Sequence, residues 1–117
     1  MQREIFERLE DLAVAILQMV GKLSKTYAGR HIGGQLMRAS TSAGANYEEA
    51  CGAESRADFI HKVQVVLREL RESLYWLRLT VKAKIIPAPV LEPILNEAKG
   101  LTNIIAKSVV TAKKKKC

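Results

Sequence analysis

The sequence holds only two cysteines, Cys51 and Cys117, and two histidines, His31 and His61. Two thiols so far apart make neither a disulfide framework nor a metal-ligand set. The histidines form no HExxH pair and no Glu-x-x-His spacing, so zinc and di-iron chemistry lack their usual ligands. Gly33-Gly34 follows no strand and precedes no phosphate-loop lysine. Cys51, with no recognisable activating base in reach, reads as a buried, inert thiol. The expectation is a protein with no catalytic residues, no metal and no cofactor. No apolar run is long enough to cross a bilayer. The first eleven residues place Glu4, Glu7, Glu10 and Asp11 ahead of any apolar run, which excludes a secretory signal. A soluble, cytoplasmic protein is expected. Aromatic residues make up only 5% of the chain, and its apolar content is mostly Leu, Ile, Val and Ala. Ala and the unbranched side chains lose little rotamer freedom in helices. No stretch alternates as a strand would.

What is present fits one ordinary domain: 117 residues, 48% hydrophobic and 26% charged, with a net charge of +7. The charge is uneven. Residues 1–54 carry six basic and seven acidic side chains, whereas residues 55–117 carry thirteen basic and five acidic ones. A half-chain balance of +8 points to a polyanionic partner, or simply to a surface that keeps a small protein soluble.

Four helical segments follow from apolar periodicity. From Arg3 to Lys25, the residues Ile5, Leu9, Leu12, Ile16, Val20 and Leu23 recur at spacings of three and four, and Gly29 offers a stop. From Arg30 to Cys51 the inward stripe is Ile32, Leu36, Ala39, Ala43, Asn46 and Ala50. This second stripe is small-sided and its glycines are poor helix formers, so a close neighbour must hold it. Gly52 ends the segment, and Ser55 to Asp58 reads as a capping box. The third segment, Arg56 to Ala83, has the clearest seam: Phe59, Val63, Val66, Leu70, Leu74, Leu77 and Val81. Pro87 and Pro89 punctuate the next connection. The fourth helix begins near Val90 with Pro93 in its first turn and Leu91, Ile94, Ala98, Leu101, Ile105 and Ser108 as its seam. Four helices with short connections predict an all-α, antiparallel up-down-up-down bundle over residues 1–112. Residues 113–117, four lysines and Cys117, read as a disordered basic tail.

Three groups of side chains stand out. Arg68, Arg71, Tyr75, Arg78 and Lys82 form one stripe on the third helix, with guanidinium groups for phosphates and a ring for stacking. Lys113, Lys114, Lys115 and Lys116 add charge. Glu69 and Glu72 lie alongside and offer ion pairs, so a solvated face and a binding face both remain open. Trp76 and Leu79, with Leu67 and Tyr47, lie off the seam and read as a subunit interface or as part of a broad core. Asn46 and Glu49 on the second helix, with Asp58 and His61 on the third, are placed to lock the helix corner by hydrogen bonds.

The run Gln35-Leu-Met-Arg-Ala-Ser-Thr-Ser-Ala-Gly-Ala-Asn-Tyr-Glu-Glu-Ala50 is distinctive. So are Glu54-Ser-Arg-Ala-Asp-Phe-Ile-His-Lys62 and Leu67-Arg-Glu-Leu-Arg-Glu-Ser-Leu-Tyr-Trp-Leu77. Together they resemble the bacterial four helix bundle family, also called intervening-sequence proteins because some are encoded within 23S ribosomal RNA genes. The likeness runs over residues 4–112, with Asn46, Glu49, Asp58 and Trp76 at its most recognisable positions; the lysine tail lies outside it. The resemblance implies a cytoplasmic four-helix bundle assembled as a ring, typically a homopentamer. It also implies similarity to the accessory proteins of diversity-generating retroelements, which bind nucleic acid and a reverse transcriptase. The expected function is non-enzymatic, phosphate-directed binding of RNA or structured DNA by a homo-oligomer. The alternative is an oligomeric scaffold for a protein partner.

Overall fold

The computed structural model describes residues 2–114, and among them there are four α-helices and no strand. They are α1 (Gln2–Val20), α2 (Tyr27–Cys51), α3 (Arg56–Lys82) and α4 (Ala88–Lys114). The helices lie side by side in a body of 52 × 20 × 20 Å. Each packs on the next in sequence, and α1 also meets α4. No helix among the described residues is long and apolar enough to cross a membrane.

The core follows the heptad-like seams. Leu9, Leu12 and Ile16 of α1, Leu36 and Ala43 of α2, Val63, Val66, Leu70 and Leu77 of α3, and Leu91, Leu101 and Ile105 of α4 are all buried. Met19, outside the expected stripe, joins them. The small side chains of α2 let its neighbours approach, and Tyr47 fills the room they leave. At 7% exposure Tyr47 belongs to the core, the second of the two readings open for it from sequence. Burial pushes its phenol upward in pKa, and Cys51 adds to the shift. Cys51 itself, in the last turn of α2, is exposed rather than buried.

Helix boundaries differ from the sequence reading in three places. The α-helical part of the first segment ends at Val20, and a 3₁₀ turn over Gly21–Leu23 keeps Leu23 buried. Gly29 does not stop a helix. It lies in the first turn of α2, where the Thr26 hydroxyl accepts its N–H at 3.0 Å. A Cβ at Gly29 would stand 1.9 Å from the Leu23 carbonyl oxygen, so close backbone approach selects glycine there. Finally, α4 begins at Ala88, two residues early, and places Pro93 beyond its first turn. Pro93 has no N–H to offer the carbonyl four residues back. At its other end α4 runs through Lys113 and Lys114, where cations suit the negative end of a helix dipole. The expected basic tail therefore loses its first two residues to the helix. Lys115, Lys116 and Cys117 lie outside the described residues.

The corner between α2 and α3 closes differently from the expected polar lock. Gly52 caps α2 and the Ser55 hydroxyl accepts the Asp58 N–H at 3.0 Å, but the Asp58 carboxylate makes no return hydrogen bond. Asn46 turns back within its own helix to the Ser42 carbonyl at 2.9 Å. Glu49 instead accepts from Lys62 at 3.0 Å, and His61 is exposed. That bond, and in smaller part the charges of Glu49 and Asp58, hold the Lys62 ammonium above its ordinary pKa. Glu49 and Asp58 do line one shallow pocket with Lys62, yet Asn46, Glu49, Asp58 and His61 share no hydrogen bond. Spacing along two helices fixes each residue's row but not which partner a side chain turns to.

Candidate nucleic-acid interface

Positions 68, 71, 75, 78 and 82 recur at three and four along α3, so they share one face, beside its buried seam. All five side chains, Arg68, Arg71, Tyr75, Arg78 and Lys82, are exposed. Over the fourteen steps from Arg68 to Lys82 the row spans about 21 Å of helix axis.

The two acids beside the row decide its character. Glu69 is nearly buried, and it accepts from Arg38 of α2 at 3.3 Å and from the Ser42 hydroxyl at 3.4 Å. Glu72 accepts from the other guanidinium nitrogen of Arg38 and from the Trp76 indole N–H at 3.3 Å. The Arg38 bond lowers the Glu72 pKa against the opposing effect of burial, with Trp76 and then Arg68 adding to the lowering. A carboxylate with a lowered folded-state pKa contributes stability above its ordinary range and loses it as pH falls through the lowered value. Arg38 thus draws both acids toward α2. Among the described residues, no ion pair within 4 Å involves Arg68, Arg71, Arg78 or Lys82. The local i,i+3 pairing open from sequence alone is not made. Cations left unpaired along one face are what a chain of phosphates requires.

Trp76 and Leu79 flank this row, half-buried together with Leu67 against the core. Trp76 is held within its own chain: its ring meets His31 edge-on at 5.6 Å and Tyr75 edge-on at 5.0 Å. The apolar surface that the sequence did not single out lies elsewhere. A groove between α1 and α2 is lined by Phe6, Val14 and Leu17 on one side and by Thr41, Gly44 and Ala45 on the other. Val14 and Leu17 are 49% and 45% exposed. Glu10 and Glu48 also line the groove. Val14 and Leu17 fall between the expected seam positions, and read alone they look like isolated surface residues.

The model of the 23S rRNA-intervening sequence protein family matches residues 1–107. Among solved structures, the chain is similar to a protein of unknown function from the S23 ribosomal protein family of Bacteroides thetaiotaomicron. The two share 30% sequence identity and superpose with a TM-score of 0.84, over 90% of this chain and 97% of the other. No curated protein matches. With the family model covering most of its length, the chain belongs to the 23S rRNA-intervening sequence protein family.

Proposed function

We propose that this is a non-enzymatic, homo-oligomeric nucleic-acid-binding protein that holds RNA or structured DNA through phosphates, with little base readout. The observation that carries this is the α3 row, with Arg68, Arg71, Arg78 and Lys82 exposed and, among the described residues, in no ion pair within 4 Å, while Arg38 holds the neighbouring acids. Arginines on phosphates position a ligand without reading its sequence. The terminal lysines supply a second source of charge. Deleting Lys113–Lys116 separates the two. Binding to RNA and DNA should weaken but persist in the truncated chain. Complete loss would mean that the lysine run alone carries the activity and that the α3 face is solvated surface.

In this reading the helices alternate up-down-up-down and the bundles close into a ring, with five subunits as the family likeness implies. Five copies of a +7 chain carry about +35, and their rows add through multivalency. The α1/α2 groove is the contact we assign to a second copy, in place of an interface around Trp76 and Leu79. Its acids Glu10 and Glu48 repel an identical groove but suit the α4 flank of the next copy, which exposes Lys99, Lys107 and Val110. Such head-to-tail contacts give a ring when the rotation between copies closes, whereas a face-to-face contact stops at a dimer. Light scattering at micromolar concentration should give a closed oligomer, and Leu17→Glu should dissociate it. A wild-type monomer at high concentration would contradict the assembly. The oligomeric scaffold for a protein partner becomes the reading if neither RNA nor DNA binds at low salt.

A further inference from the structure

The geometry points to Tyr75 as a stacking platform for an unpaired base. Single-stranded nucleic acid is then the preferred ligand of the α3 row, an inference that rests on the phosphate-directed reading above. Tyr75 is 52% exposed in a row that otherwise carries cations. A ring placed there contributes little to the core. It is nevertheless held. Its ring meets Trp76 at 5.0 Å and 77°, and Trp76 is itself fixed by the Glu72 carboxylate on its N–H and by the His31 ring at 79°. Arg38 in turn holds Glu72. The series Arg38, Glu72, Trp76, Tyr75 limits the tyrosine's freedom before any ligand arrives, which lowers the entropy lost on binding.

An edge-on contact between Tyr75 and Trp76, in either sense, leaves at least one face of Tyr75 uncovered by the indole. Arg71 stands four residues before it and Arg78 three after, so a cation lies about one helical turn to each side. A base stacked on Tyr75 would have its flanking phosphates within reach of both guanidinium groups. A single strand offers such a base. In a continuous duplex the bases are already stacked and paired, and the same row meets only phosphates. Tyr75 thereby adds stacking to the electrostatic attraction for single strands alone. Trp76, Glu72 and Arg38 act as positioning residues.

The test compares an oligouridylate of about twenty nucleotides with a long RNA duplex, the single strand being more than one binding site in length. Trp76 is the only tryptophan, so its fluorescence reports events at the neighbouring ring. Oligouridylate should change that fluorescence and the duplex should not. Tyr75→Ala should weaken oligouridylate binding about tenfold or more and leave duplex affinity unchanged, while Tyr75→Phe keeps the ring and the affinity. Because Tyr75 is largely exposed, melting temperature should hardly move. Equal loss on both ligands, no loss on either, or equal loss in the Phe and Ala variants would overturn the platform while phosphate binding stands. If wild-type protein binds neither ligand at low salt, it is the phosphate-directed reading that fails.

Discussion

Replacing Gly29 by alanine should destabilise the protein by about 1–3 kcal/mol, the cost of forcing extra atoms into packed structure. The methyl group would stand 1.9 Å from the Leu23 carbonyl oxygen. That obstacle is backbone, tied into the 3₁₀ turn that ends the first helical segment, so no side-chain rotation relieves it. Alanine's better helix propensity returns at most about 1 kcal/mol and cannot offset the clash. Gly34, one and a half turns along the same helix, supplies the control. A Cβ there meets nothing within 4 Å, and the position is exposed. Gly34→Ala should therefore stabilise the protein by about 0.5–1 kcal/mol. Denaturant midpoints would thus move in opposite directions for the same chemical change. If both variants gain stability, the approach of α2 to the Leu23 carbonyl is not as described.

The second large effect concerns binding. Changing Arg71 and Arg78 together to alanine should weaken every nucleic acid without disturbing the fold, since both side chains are exposed and neither is ion-paired. Each phosphate neutralised contributes about 0.7 log units per tenfold dilution of salt on single strands and about 0.9 on duplex DNA. At about 0.1 M salt, losing two contacts amounts to roughly 25-fold on single strands and roughly 60-fold on duplex. Multivalency in a ring would enlarge the apparent loss. Filter binding or anisotropy across unrelated sequences should show the same factor for each. A loss confined to one sequence would mean base readout, which arginines on phosphates do not provide.

The α3 row and the seam of α3 were both legible in the sequence, because helical periodicity fixes which positions share a face. The absence of competition for the row was not. Arg38 lies 31 and 34 residues from Glu69 and Glu72, and no local spacing shows that it takes both acids. Along the sequence, i,i+3 ion pairs within α3 were open to the same acids. Tyr47 was left open between a subunit interface and a broad core for a similar reason. On a helix of alanines and glycines a large ring fills the space between neighbours, and Tyr47 lies in the core. Gly29 looked like punctuation because glycine's conformational freedom is visible in sequence, whereas the approach of another backbone is not. The polar corner failed because it required knowing which way four side chains turn. Asn46 found a carbonyl of its own helix, and Glu49 found Lys62. The α1/α2 groove went unseen since it is made jointly by two faces, neither distinctive alone.

Phosphate-directed binding by the α3 row is tested most directly by the salt dependence of affinity, measured for the wild-type chain and the Arg71→Ala/Arg78→Ala variant on one single-stranded RNA. If the four cations of the α3 row each meet a phosphate, log affinity should fall with log salt at a slope near −2.8 per subunit engaged, at about −0.7 per contact. The variant should lose about half of that slope and keep the wild-type oligomeric state. A wild-type slope near zero, or a slope that the two substitutions leave unchanged, would contradict phosphate-directed binding by the α3 row.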